Sequence, residues 1–190
     1  MNRFFTITAS TVLMTASINA AYAAPKSVDQ TSAQTAKDAR ATLALMDQQI
    51  ANVSDTAFTM NQAIYRDLDD TGFQSDELSE LKDQVNGIGR ELAVIEAERD
   101  SIPMWQADAV EQILPIMHEI AVESTQAINT AKANGNRLFA SDYVLETNEV
   151  FTNANKAAQL LHDDIKLANA RAKEDRLAAS IDELNRAGTK

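Results

Sequence analysis

The feature that most constrains this chain is an unbroken series of apolar residues spaced alternately three and four positions apart. The series is Ala36, Ala39, Leu43, Met46, Ile50, Val53, Ala57, Met60 and Ile64. Because an α-helix repeats every 3.6 residues, this spacing places all of these side chains on one face of a single helix. The series therefore predicts a heptad seam, typical of a coiled coil, on a long helix from about residue 28 to residue 68.

Three further helices are predicted from the same periodicity and from the residues that interrupt it. Gly72, Pro103 and Gly135 mark the breaks, because glycine accepts the backbone of a helix end and proline disfavours helix in the residue before it. The predicted ranges are about 75–99, 103–133 and from 141 onward. The apolar seam of the second helix is predicted at Leu78, Leu81, Val85, Ile88, Leu92 and Ile95. The seam of the fourth is predicted at Val144, Phe151, Ala158, Leu161, Ile165, Ala168 and Ala172, followed by a change of phase to Leu177, Ile181 and Leu184. Four apolar stripes joined by short connections predict an all-α, antiparallel up-down-up-down four-helix bundle with a long first and a long last helix.

Composition agrees with this fold and excludes several functional classes. The 190 residues are 45% hydrophobic, include no cysteine and carry a formal net charge of −11. An acidic chain repels the phosphates of nucleic acid, so nucleic acid is not an expected partner. The lack of cysteine excludes disulfides, thiolate zinc sites and covalently attached c-type haem.

The amino-terminal residues predict export. Arg3 precedes a moderately apolar stretch from Phe4 to Ile18, and Ala21 and Ala23 supply the small side chains that signal peptidase requires. Residues 1–23 are therefore predicted to be a signal peptide, and 24–190 a single domain in the periplasm or the medium. The stretch is too short for a stable membrane span, so membrane insertion is not expected.

Simple hairpin arithmetic predicts an interaction surface. With turns near residues 72, 102 and 138, each residue of the first helix lies level with the residue 60 positions later in the third. Residues before about 42 and after about 174 then project past the second turn. Their apolar side chains would form a two-helix extension that is open to a partner protein or a second copy. The residues predicted for this interaction are Ala36, Ala39, Leu177, Ile181 and Leu184.

The same arithmetic places Gly87, Gly89 and Pro115, which weaken or kink helices, at one level of the bundle. We call this level the waist, and it provides an alternative site. A haem, metal or small ligand would recruit Met117, His118 and His162 there. Di-iron bundles need two Glu-x-x-His pairs, which the chain lacks, and solvent-facing histidines explain the pattern equally well. We therefore expect no cofactor, no metal and no catalytic residues, and a non-enzymatic protein.

Aromatic residues are expected to close the ends of the bundle. Tyr65, Phe73, Phe139 and Tyr143 would gather at one end, and Trp105 would lie near Met46 at the other. The alternative to packing at the end of the bundle is that Trp105 lines the opening of a ligand-binding site.

A pattern around the third helix resembles one found in exported bacterial helical proteins for which no activity is known. Its residues are Trp105, Leu114, Pro115, Glu119, Ile120, Ala121, Asn134, Arg137, Leu138, Phe139 and Tyr143. The resemblance covers less than a quarter of the chain. It implies a helical fold and no catalytic residues.

Overall fold

The computed structural model describes residues 28–65, 71–135, 138 and 142–188. Helix α1 spans Val28–Tyr65, α2 spans Thr71–Ala97, α3 spans Met104–Asn134 and α4 spans Tyr143–Gly188, with a 3₁₀ turn at Arg99–Ser101. No residue of these ranges belongs to a strand. Each helix packs most extensively against two others, in the pairs α1 with α2, α2 with α3, α3 with α4 and α4 with α1, and α1 makes a smaller contact with α3. The predicted four-helix bundle is confirmed.

The helix ends agree with the prediction at one break and differ at another. Gly135 follows α3 with a φ of 53°, and its N–H donates to the carbonyl oxygen of Ala131. Glycine tolerates this positive φ because it has no Cβ. In contrast, Gly72 and Ser75 lie inside α2, which begins at Thr71. Buried packing of the first turn, where Gln74 is 1% exposed, outweighs the weak helix propensity of Gly72.

The core lies between the four helices and contains the predicted seams of α1 and α2. All members of the first series from Ala39 onward are buried, and Ala36 is half-buried. The buried apolar positions of α2 are also those predicted, namely Leu78, Leu81, Val85, Ile88, Leu92 and Ile95. These two helices therefore present to the core the faces that their periodicity indicates.

The buried line of α4 is one position away from part of the predicted one. Val144, Phe151 and Ala158 were the expected core positions, but all three are only half-buried. The fully buried residues are Tyr143, Thr147, Val150, Ala154, Ala157 and Leu161. Because Thr147 is polar and Ala154 and Ala157 are small, a search for large apolar side chains does not find this buried face.

A buried polar cluster joins three helices at one end of the bundle. The Tyr143 hydroxyl donates to Oε1 of Gln74 (2.6 Å), and Nε2 of Gln74 donates to the Met60 carbonyl oxygen (3.3 Å). Nearby, the Thr147 hydroxyl donates to Oδ1 of Asn61 (2.5 Å). Because buried polar groups are costly without partners, these bonds select one arrangement of α1, α2 and α4.

None of the described helices combines the length and the apolar character needed to cross a membrane. The predicted signal peptide, residues 1–23, lies outside the described residues.

Candidate functional site

The carboxyl-terminal part of α4 exposes an apolar surface. Ala172 is half-buried, and every side chain from residue 173 to residue 187 is exposed. We call residues 173–187 the α4 tail. Leu177, Ile181 and Leu184 are 55%, 57% and 72% exposed. Leu167, which precedes Leu177 by about three helical turns, is 50% exposed. These four side chains, which we call the α4 stripe, lie at helical spacing along one side of the helix.

The stripe is exposed because the apolar phase of α4 changes after Ala172. The face that packs into the bundle continues through Ile165, Ala168 and Ala172, all half-buried. One turn further on, its next positions are occupied by the charged residues Asp175 and Arg176. The large apolar residues Leu177, Ile181 and Leu184 resume on a face rotated by about 150° from that of Ala172, at about 100° per residue. The tail therefore cannot bury its apolar side chains by extending the contacts of the bundle.

Two hydrogen bonds between α3 and α4 show how far the tail projects. Nε2 of Gln112 donates to Oδ2 of Asp164 (3.3 Å), and the Thr130 hydroxyl donates to Oε1 of Glu146 (2.9 Å). In this antiparallel register, Met104, the first residue of α3, lies level with Ala172. The α4 tail then extends about 22 Å past the start of α3, at 1.5 Å per residue. Met104 itself is 79% exposed, which adds apolar surface where the tail leaves the bundle.

Ala36 and Ala39 do not belong to this extension, contrary to the prediction. Ala39 is 3% exposed in the core, and the Ala36 carbonyl oxygen accepts a hydrogen bond from Nε2 of Gln106 (2.8 Å). The centroid of the Trp105 ring lies 5.9 Å from Cζ of Arg40, so α3 covers this part of α1. Trp105 therefore lies nearer the amino-terminal end of α1 than Met46, its predicted neighbour. The predicted extension of α1 before residue 42 is therefore wrong for residues 36–42.

The error comes from the assumed positions of the turns. The contact between Thr56 and Gln84 centres the first turn on residue 70 rather than 72. The ion pair between Arg99 and Glu111 centres the second turn on residue 105 rather than 102. The two errors add, and the separation of level residues in α1 and α3 becomes about 70 instead of 60, which agrees with the pair Ala36 and Gln106.

With this register, Leu177 lies level with the first turns of α1, and Ile181 and Leu184 lie past the first described residue of α1. The structure describes no side chain in that part of the chain. Leu177, Ile181 and Leu184 are therefore not level with Ala36 and Ala39, and all three are exposed on α4.

The residues of the alternative ligand site lie on different sides of their helices. Met117 is 5% exposed and packs in the core, whereas His118 is exposed. The His162 side chain is 64% exposed, and its Nδ1 lies 3.4 Å from Oδ2 of Asp47. Among the described residues, no group of three or more His, Cys, Asp or Glu side chains could hold a metal ion.

The waist is not one level of the bundle. The corrected register places Pro115 level with α2 residues 93–95, about 6–9 Å along the axis from Gly89 at 1.5 Å per residue. Gly87 and Gly89 both lie in the interior of α2, and Pro115 is exposed inside the continuous helix α3. The features that weaken helices are therefore distributed over more than one turn.

Charge is distributed unevenly along the chain. Residues 1–164 contain 11 basic and 24 acidic residues, whereas residues 165–190 contain six basic and four acidic residues. Carboxylates also crowd the face between α3 and α4. Partial burial and the adjacent Glu149 carboxyl raise the pKa of Glu123, and partial burial together with Asp108 and Asp163 raises the pKa of Asp164. The tail of α4 thus leaves an acidic bundle as a nearly neutral helix.

Compared with protein families, characterised proteins and solved structures, the chain matches none. Its surface chemistry is therefore the basis for a functional proposal.

Proposed function

We propose that this chain is an exported, non-enzymatic helical-bundle module that docks a protein partner through the α4 stripe. The observation that carries the proposal is a run of three large apolar side chains, Leu177, Ile181 and Leu184, each more than half exposed, on a tail that projects past the start of α3. Leu167, just before the tail, is also half exposed. Contiguous exposed apolar surface of this kind is typical of interaction sites. The bundle fixes the beginning of the tail, and the tail exposes Leu177, Ile181 and Leu184 to solvent.

The expected affinity follows from how much of the stripe remains exposed. Leu167, Leu177, Ile181 and Leu184 each keep between 50% and 72% of their surface in water. Burying the exposed half of such a side chain stabilises a complex by about 1 kcal/mol, so the stripe supplies about 4 kcal/mol. A partner's own apolar face supplies a similar amount, against an association cost of about 4–15 kcal/mol. The stripe therefore suits a weak or reversible complex.

The other parts of the proposal rest on the sequence. Export is inferred from Arg3 and the apolar stretch before Ala23. The lack of an enzymatic role is inferred because the chain has no phosphate-binding glycine loop and no nucleophile elbow. Export predicts that protein recovered outside the cytoplasm begins at Ala24. A chain recovered there with residues 1–23 intact would contradict it.

Site-specific photo-crosslinking tests the docking surface. A benzophenone amino acid is placed at Leu177 or Ile181 on the stripe, and at Asp175 or Asp182 outside the stripe as matched controls. Irradiation of the exported protein is expected to produce covalent adducts from the two stripe positions and few from the controls. Equal yields from all four positions, or no adduct from the stripe, would refute the proposal.

A further inference from the structure

We propose that the core of the bundle around Ser124 binds a small neutral molecule of the phenol class, with a compact apolar body and one hydroxyl group. This site lies between the four helices and is separate from the docking proposed for the α4 stripe. The proposal is carried by a buried hydroxyl group that lacks a hydrogen-bond partner, in a part of the core where most buried side chains are small.

The Ser124 hydroxyl differs from other hydroxyls inside these helices. Ser124 is 3% exposed, and no described group serves as a hydrogen-bond partner for its Oγ. In contrast, the neighbouring Thr125 hydroxyl donates to the carbonyl oxygen of Ala121 (2.8 Å), and the buried Thr147 hydroxyl donates to that of Tyr143 (2.9 Å). Because a buried hydroxyl without a partner is costly, Ser124 has a hydrogen bond to offer to a bound molecule.

Ser124 faces the interior of the bundle. Met117 and Ile120 precede it on α3 and Ala127 follows it, at spacings of three and four residues, and all of these side chains are buried. This spacing places the four residues on one face of the helix. The Ser124 hydroxyl is therefore presented to the core.

Hydrogen bonds between helices identify the residues level with Ser124. The register of Ala36 with Gln106 places residue 54 of α1 at this level, and that of Thr130 with Glu146 places residue 152 of α4 there. The bond between Thr56 and Gln84 adds residue 86 of α2. We call the buried residues within two positions of these levels the Ser124 layer, which comprises Val53, Ser54, Thr56, Val85, Ile88, Ser124, Val150 and Ala154.

The Ser124 layer has less side-chain volume than the layers on either side. In the described core, Ile88 is its only residue larger than valine. About two turns away toward the start of α1, all four helices contribute large buried side chains, namely Met46, Leu92, Met117 and Leu161. In the other direction three helices do so, through Met60, Leu81 and Tyr143. The two outer layers hold the helices apart, and the Ser124 layer leaves room between them for a small guest.

The walls of this layer indicate the chemistry of the guest. Half-buried Phe151 packs against the core at this level, and the centroid of its ring lies 5.6 Å from that of Phe58. Among the described residues of the layer, no buried side chain is charged. Apolar and aromatic walls with one hydroxyl suit a neutral molecule that has a single polar group.

Fluorine NMR of the purified protein tests the role of Ser124, with para-fluorophenol and para-fluorotoluene as probes of similar shape. The wild type is expected to bind para-fluorophenol saturably. Ser124→Ala should weaken its binding about fivefold, since one neutral hydrogen bond is lost, and should change para-fluorotoluene binding by less than about twofold. Absence of saturable para-fluorophenol binding, or equal effects of the substitution on both probes, would overturn the inference.

A filled layer tests the location. Ala154→Leu puts a large side chain into the Ser124 layer and should abolish binding of para-fluorophenol. Ala170→Leu, at an exposed alanine of the same helix, should bind it like the wild type. Circular dichroism checks that both variants remain helical, and Ser124→Ala keeps the test decisive if Ala154→Leu does not fold. Binding by Ala154→Leu equal to that of the wild type would contradict the proposed site.

A crystal soaked with para-bromophenol separates a ligand from the competing occupant, a buried water. Bromine density inside the Ser124 layer, with the phenol oxygen at hydrogen-bond distance from the Ser124 Oγ, is the expected result. A water on that Oγ with the probe bound elsewhere, or an Oγ that donates to the Ile120 carbonyl oxygen in the presence of the probe, would overturn the proposal.

Discussion

The substitution Tyr143→Phe tests whether the buried polar cluster holds the bundle together. The Tyr143 hydroxyl donates to Oε1 of Gln74 at 2.6 Å, and the two residues are 0% and 1% exposed. Phenylalanine keeps the ring and its packing, so the substitution opens no large cavity. It removes the only hydrogen bond shown for Oε1 of Gln74 and leaves that oxygen buried away from water.

The expected loss is the desolvation penalty of one buried acceptor, about 1–3 kcal/mol. For a domain of this size, each kcal/mol lowers the melting temperature by about 2–4 °C. Tyr143→Phe is therefore expected to lower it by about 2–12 °C. Urea unfolding followed by circular dichroism at 222 nm measures the change in free energy directly.

A double-mutant cycle tests the physical reason for this loss. Gln74→Leu removes the acceptor and leaves the Tyr143 hydroxyl buried. The double variant Gln74→Leu with Tyr143→Phe leaves neither group unpaired, so it should cost less than the sum of the two single variants. Additive costs, or a Tyr143→Phe variant within 0.5 kcal/mol of the wild type by the scale of neutral surface substitutions, would refute the reasoning.

Two further predictions concern the backbone and pH. Gly89→Ala should stabilise the protein by about 0.5–1 kcal/mol in urea unfolding, because a Cβ there meets nothing within 4 Å inside a helix. Gly135→Ala should destabilise it, because alanine disfavours a φ of +53°; equal effects would contradict both. Glu123→Gln should stabilise the fold at neutral pH, since the raised pKa of Glu123 means that the folded state favours the protonated carboxyl. Its advantage should shrink as pH falls toward the ordinary value of 4.5, and an advantage independent of pH would contradict this linkage.

The sequence was sufficient to predict the four helices and the buried faces of α1 and α2. In α1 and α2, apolar residues at heptad spacing become the buried face, because no polar residue interrupts the series. In α4 the buried line includes Thr147, Ala154 and Ala157. Those side chains fill the core only where the neighbouring helices approach closely, which periodicity within a single helix does not reveal.

The exposed apolar surface that we propose for docking was predicted in part. Leu177, Ile181 and Leu184 were recognised from their change of phase, and the structure leaves them exposed. Ala36 and Ala39 were added through the level arithmetic, which failed because shifts of two and three residues at successive turns accumulate. Leu167 and Met104 were missed, although the position of Leu167 on the same face as Leu177 could have been found by continuing the new phase backward.

The polar contacts between helices lie beyond prediction from one sequence. Gln74 and Tyr143 are 69 residues apart, and Gln106 and Ala36 are 70 apart. Their pairing depends on the rotation and register of whole helices, which are set by the packing of the complete core. The same dependence explains why His118 and His162, close to one level by simple arithmetic, both lie at the surface.

Amide hydrogen exchange of the α4 tail tests the central claim most directly. An unpaired helix of this length is marginal in water, so its amides exchange rapidly when the stripe is uncovered. In the purified protein, residues 173–187 are expected to exchange much faster than the buried amides of α3, and their protection is expected to rise when the partner crosslinked at Leu177 is added. Protection of the tail equal to that of α3 in the purified protein, or no change on adding the partner, would contradict the claim that the α4 stripe is an open docking surface.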